Sequence, residues 1–162
     1  MVTVAAATVT ADQYAGGYLV VTSTPGEGLY YRIKGHAAAT AATVTVNLYD
    51  PLIVAVTASS KVDFVANPYN GVLINPTTAT SAPVGLALTA CPASYYTWIQ
   101  TKGPGTVLAQ GTLTVGYQCV ASNGTPGAVE SGVDATDAQA LVGVSLTGCA
   151  TGEYGAVLLN LS

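Results

Sequence analysis

The chain has 162 residues, half of them hydrophobic, a net charge of −4 and only 7% charged residues, against about 25% in ordinary soluble domains. That length suits one domain or two small lobes whose core needs no metal or disulfide staple, and it leaves no room for a separate catalytic domain. The four cations, Arg32, Lys34, Lys61 and Lys102, are too few to neutralise the several phosphates of a nucleic-acid footprint, and no apolar run approaches the ~20 residues that span a bilayer.

The opening residues, Met1-Val2-Thr3-Val4-Ala5, lack the cations and the longer apolar run of a secretory leader, so synthesis in a cytoplasm is expected. A surface so poor in ions has little electrostatic protection against association. Much of the exterior is therefore expected to be covered by partners in the working state.

The first informative stretch is Tyr31-Arg32-Ile33-Lys34-Gly35-His36. Its alternation reads as a strand with Arg32, Lys34 and His36 on one face and Tyr31 and Ile33 on the other. His36 is the sole histidine, so any Ser/His or Cys/His scheme would pass through it. No nucleophile or orienting acid accompanies it, and a solvated strand face is the stronger reading. Arg32 and Lys34, with His36 beside them, form the one cationic stripe of an acidic protein. They are the candidate docking interface for carboxylates on a neighbouring subunit or shell protein.

Thr43-Val44-Thr45-Val46-Asn47-Leu48 is a half-buried strand with Val44, Val46 and Leu48 inward, and Val62-Asp63-Phe64 repeats the pattern. Between them, Asp50-Pro51 followed by Leu52 to Val56 reads either as a short helical turn with an N-cap and an N1 proline or as a β-branched strand after a turn. Turn signals fall at Pro25-Gly26, Asn67-Pro68, Asn70-Gly71, Gly103-Pro104-Gly105, Asn123-Gly124 and Pro126-Gly127. Neither Gly26-Glu27-Gly28 nor Gly103-Pro104-Gly105 continues into a phosphate-binding motif.

Residues 75–83, polar, small and bounded by prolines, read as a connector between an N-terminal β layer or lobe at 1–74 and a C-terminal β lobe at 84–162. The C-terminal lobe carries an internal echo. Val84-Gly85-Leu86-Ala87-Leu88-Thr89-Ala90-Cys91, with Tyr96 and Ile99, is matched at one constant offset by Val142-Gly143-Val144-Ser145-Leu146-Thr147-Gly148-Cys149, with Tyr154 and Val157. A repeated hairpin is the simplest account: Val84–Leu88 turning near Pro92-Ala93-Ser94 into Tyr95–Thr101, and Val142–Leu146 turning near Gly152 into Tyr154–Leu161.

Tyr95, Tyr96 and Trp98 form a candidate aromatic interface. Core or subunit-interface packing is the stronger use and sugar stacking the alternative. Farther on, Thr112 to Cys119 predicts a strand with Leu113, Val115, Tyr117 and Cys119 on one face, and Asp134 to Leu141 offers a second short helical turn. Glu130, Asp134 and Asp137 lack calcium-loop order and read as a solvated acidic loop. Cys91, Cys119 and Cys149 have neither CxxC spacing nor a histidine cluster, so neither zinc nor any other cofactor is expected; free, packed thiols are favoured, with Cys91 and Cys149 occupying matching places in the repeat. The fold class is all-β: an antiparallel β-sandwich or small β-barrel lobes, with short helical turns at most.

Gly17-Tyr18-Leu19, Gly28-Leu29-Tyr30-Tyr31-Arg32-Ile33, Leu48-Tyr49-Asp50, Asn67-Pro68-Tyr69-Asn70-Gly71-Val72 and Pro83-Val84-Gly85 together resemble a group of capsid auxiliary proteins of tailed bacteriophages. The likeness continues through Tyr95-Tyr96-Thr97-Trp98-Ile99-Gln100-Thr101-Lys102-Gly103-Pro104, Gly111, Val115-Gly116, Val142-Gly143-Val144 and Glu153-Tyr154, in similar order over most of residues 12–160. The resemblance implies a decoration (cement) protein on the virion surface, made in the host bacterial cytoplasm. Such a protein binds the major capsid protein at capsomer junctions and helps the shell resist internal DNA pressure. A homo-oligomer is expected, with a trimer favoured over a dimer, since symmetric copies presenting one face supply avidity, and no enzymatic activity is expected. The chain departs from the pattern at Cys91, Cys119 and Cys149, where small apolar residues are expected. The alternative is a head-fibre, tail or baseplate module that binds host glycans. A β-sandwich hydrolase or lyase centred on His36 ranks far below both.

Overall fold

The computed structural model describes residues 2–78, 80–133 and 139–161. Among them every regular element is a strand, and the chain divides into two compact units, Met1–Gly71 and Val72–Ser162. The proline-bounded segment 75–83 thus belongs to the second unit.

The first unit is a five-stranded antiparallel sheet of β1 (Val2–Val9), β2 (Tyr18–Val21), β3 (Tyr30–His36), β4 (Ala39–Leu48) and β5 (Val62–Val65), in the order β1-β4-β3-β2-β5. Period-two alternation decides its inner face. Leu19, Val21, Tyr31, Ile33, Val44 and Val46 are buried, while Arg32, Lys34, Thr45 and Asn47 face out. Leu52, Val56 and Phe64 pack half-buried against this core. Residues 51–57 form neither helix nor strand. Leu52 and Val56 reach inward, and the Ile53 N–H donates to the Tyr31 hydroxyl at 3.1 Å, which holds the segment as a loop over the core.

The second unit carries a five-stranded antiparallel sheet in the order β10-β9-β11-β12-β8, built from β8 (Lys102–Leu108), β9 (Gln118–Ala121), β10 (Val129–Ser131), β11 (Leu141–Ser145) and β12 (Tyr154–Asn160). Its core gathers Val107, Ala109, Leu113, Cys119, Ala121, Val129, Val142, Val157 and Leu159. A separate two-stranded hairpin pairs β6 (Leu86–Ala87) with β7 (Ile99–Gln100).

The echo in the sequence is an echo in register. Leu86↔Gln100 and Ala87↔Ile99 in the first hairpin correspond position by position to Val144↔Leu158 and Ser145↔Val157 in the second. The glycine at the matching place in each copy has no room for a Cβ, though against different neighbours: one on Gly85 would meet Ile99 Cδ1 at 2.8 Å, and one on Gly143 would run into the backbone carbonyl of Leu158. The two copies differ in what surrounds them. β11 and β12 are flanked by β9 and β8, whereas no strand pairs with either edge of β6–β7 among the described residues. The first copy accordingly shrinks to two paired residues on each side, because an isolated two-stranded ribbon is marginal in water.

Two expectations are corrected here. Thr112 to Cys119 is not one strand: Gly116 adopts φ +83 and the Tyr117 N–H returns to Thr114 O at 3.1 Å, so the chain turns before β9. Leu113 and Cys119 stay buried, and Val115 and Tyr117 point outward. Conversely, Gly103-Pro104-Gly105 is no turn but lies inside β8, in unbroken register from Lys102↔Asn160 to Leu108↔Tyr154. β8 is an edge strand, the place where a proline is tolerated. Gln100 Nε2 donates to the carbonyls of both Lys102, at 2.9 Å, and Pro104, at 2.8 Å. The helical turn expected from Asp134, and with it Asp137, lies outside the described residues.

Candidate docking interface

The outward face of the first unit's sheet concentrates aromatic rings around its cations. Tyr18 pairs across the ladder with Arg32, and Val20 with Tyr30. The Tyr18 and Tyr30 rings meet edge to face at 5.9 Å and 74°. The Arg32 guanidinium lies 5.3 Å from the centre of the Tyr49 ring, a cation–π arrangement. It is held there by the Tyr49 N–H donating to Arg32 O at 3.0 Å. Among the described residues neither Arg32 nor Lys34 has a carboxylate partner. The arrangement is a rigid, half-wet patch of Tyr and Arg with unspent positive charge, the composition that protein interfaces favour. Tyr30 could have been read from its alternation with Arg32. Tyr18 and Tyr49 join only through strand register and the turn after β4, which no local pattern reveals.

His36 does not belong to this face. The β3–β4 register slips between Ile33↔Leu48 and Gly35↔Asn47, a bulge that adds one residue and reverses the alternation, so His36 is buried, 5% exposed. The bulge needs glycine at 35, where a Cβ would come within 2.6 Å of Asp12 Oδ1. That oxygen accepts the His36 N–H at 2.9 Å, and the Asp12 N–H donates to His36 O at 3.0 Å. The imidazole is structural. Nε2 accepts the Tyr14 N–H at 3.1 Å, so the proton sits on Nδ1, which donates to Ala37 O at 3.0 Å. Phe64 stacks on the ring at 6.5 Å and 18°. With both nitrogens engaged, His36 has no free one to offer a nucleophile.

The aromatic triad of the second unit also lies elsewhere than the core. Tyr95 is 74% exposed, Trp98 90% and Tyr96 wholly so, and every residue from Ala87 to Tyr96 is exposed. Core packing for these rings is thus excluded. They sit between the turn, where the Tyr95 N–H reaches Pro92 O at 3.3 Å, and the short β7. No charged residue occurs from Phe64 to Thr101.

Of the cysteines, only Cys119 is a buried core thiol. Burial raises its pKa above the ordinary value, opposed by a hydrogen bond with Ser145 and reinforced by nearby Cys149. Cys149 is half-buried and sits against this core, but Cys91 is exposed at the hairpin tip, so packed thiols describe two of the three. Among the described residues no three His, Cys, Asp or Glu side chains gather as a metal would require. An apolar cavity of about 70 Å³ lies within the second unit between Leu86, Val107, Val142, Leu159 and Leu161. It has no convergent charges, which makes it a packing gap rather than a reaction site. No helix among the described residues is long and apolar enough to cross a membrane.

No family model matches the chain, and neither a curated protein nor a solved structure matches it.

Proposed function

We propose that this is a non-enzymatic structural protein of a tailed-phage virion that binds the outer surface of the capsid, contacts the major capsid protein and strengthens capsomer junctions. One observation carries the reading: among the described residues more large apolar side chains lie on the exterior than apolar residues lie in the two cores, in a chain with 7% charged residues. So large a share of apolar side chains on the exterior is stable when partners cover them. The Tyr18, Tyr30, Arg32, Lys34 and Tyr49 face suits an acidic patch on such a shell. Many copies, each burying a modest area, sum to a shell that ruptures less readily, and the mechanism needs no chemistry.

The test is to incubate the purified protein with undecorated heads. Saturable, stoichiometric binding with a raised disruption temperature is expected; absence of both would end the proposal. A glycan-binding head-fibre, tail or baseplate module is the second reading, favoured by the open rings of Tyr96 and Trp98. Glycan-array binding abolished by Trp98→Ala would select it.

A further inference from the structure

We propose that the distal half of the β6–β7 hairpin, presenting Leu88, Tyr95, Tyr96 and Trp98, is the surface through which copies of this chain bind one another. This deepens the structural-protein reading by separating the surface for self-association from the surface for the shell.

Three observations converge. The first is the internal repeat. Two hairpins of matched sequence and matched register occur in one chain, and the β11–β12 copy is completed by a strand on each edge. The β6–β7 copy lacks both strands among the described residues, so its free N–H and C=O groups remain open to pairing. The protein itself thus displays what satisfies a hairpin of this kind: further strands of its own sequence.

The second is area. An aromatic side chain contributes about 150–250 Å² when fully covered, so rings exposed at 74%, 90% and beyond present on the order of 500 Å². Leu88, 63% exposed, and the open backbone from Ala87 to Tyr96 bring the tip near the ~800 Å² that each partner buries in a standard interface.

The third is charge, and it selects the occupant. Two copies of a chain of net charge −4 repel wherever their carboxylates approach. The stretch from Phe64 to Thr101 holds no charge of either sign, so it can face its own copy without penalty. The cationic Arg32–Lys34 stripe lies on the other unit and is better matched to an acidic partner.

The whole 162-residue chain, without heads, is examined by sedimentation at rising concentration. The parent is expected to self-associate. Tyr96→Ser with Trp98→Ser is expected to weaken association by about 30-fold or more, the size of an interface hot spot, with circular dichroism and melting unchanged because neither ring belongs to a core. Ala93→Glu, which places a like charge in each facing tip, is expected to act in the same direction and serves if the double variant misfolds. A parent that stays monomeric, or variants that associate like the parent, would overturn the assignment. Binding to heads is scored separately. Self-association without head binding leaves this inference standing while the capsid reading falls, and head binding by a strictly monomeric parent does the reverse.

Discussion

Replacing His36 with alanine separates a structural histidine from a docking one. The imidazole accepts one backbone N–H, from Tyr14, and donates to one carbonyl, of Ala37. Losing both removes two part-buried hydrogen bonds, at about 1 kcal/mol each. The vacated ring space beside Phe64 and Tyr14 adds a further ~1–2 kcal/mol. The total, near 3 kcal/mol, corresponds to roughly 15 °C in the melting of a unit of this size. His36→Phe retains ring packing, loses both hydrogen bonds and should cost about half as much. Differential scanning calorimetry reads the loss, which should appear in the transition of the first unit. Head binding is then measured at a temperature where near-ultraviolet circular dichroism reports the variant folded, and occupancy should match the parent. A His36→Ala protein that melts like the parent yet no longer occupies heads would refute the assignment and return the ring to the outer face.

Arg32→Glu combined with Lys34→Glu removes the cationic stripe from an exposed face; stability should shift by no more than ~0.5 kcal/mol, while occupancy on heads falls at least tenfold and the parent's binding weakens with added salt. Gly143→Ala drives a methyl group into the backbone carbonyl of Leu158 and should unfold the second unit, whereas Gly85→Ala meets only the movable side chain of Ile99 and should be milder. Equal melting of the two variants would contradict the contrast between the embedded and the open hairpin. Thiol titration of the native protein should find Cys91 reacting rapidly and Cys119 only on unfolding. Because the folded Cys119 thiol titrates above the unfolded chain's 9.0, the unfolded state gives up its proton first. Stability is therefore full below that pH and declines as pH rises through it; chemical denaturation of Cys119→Ala should follow a shallower alkaline decline.

The all-β class was legible because alternation at Val44, Val46 and Leu48, and again at Tyr31 and Ile33, is a local property that packing obeys. The repeat was legible for the same reason, as two matched hairpins, while the pairing register and the shortness of the first came from the structure. What local reading missed was non-local. The slip at Gly35 depends on Asp12, more than twenty residues earlier, and it turned one of three docking candidates inward. Tyr18 and Tyr49 reached Arg32 through ladder register. Gly103-Pro104-Gly105 carries turn chemistry yet runs as strand, because an edge position asks nothing of a proline's missing donor. The aromatic triad was found from its sequence, but its exposure follows from neighbours the first hairpin lacks, and absent neighbours leave no mark in a sequence.

The edge formed by Lys102–Leu108 bears on how such a chain avoids runaway fibre growth. Since the Ala109 N–H reaches Glu153 O, ladder alternation turns the backbone groups of Lys102 and Pro104 away from β12. On that rim Pro104 has no hydrogen to give, and both carbonyls are already occupied by the Gln100 amide. An incoming strand would find both of these acceptors taken and one of the two donors missing. Sheet-to-sheet pairing is discouraged at this end of the margin by a ring and an amide, beside a lysine, Lys102, on the same strand.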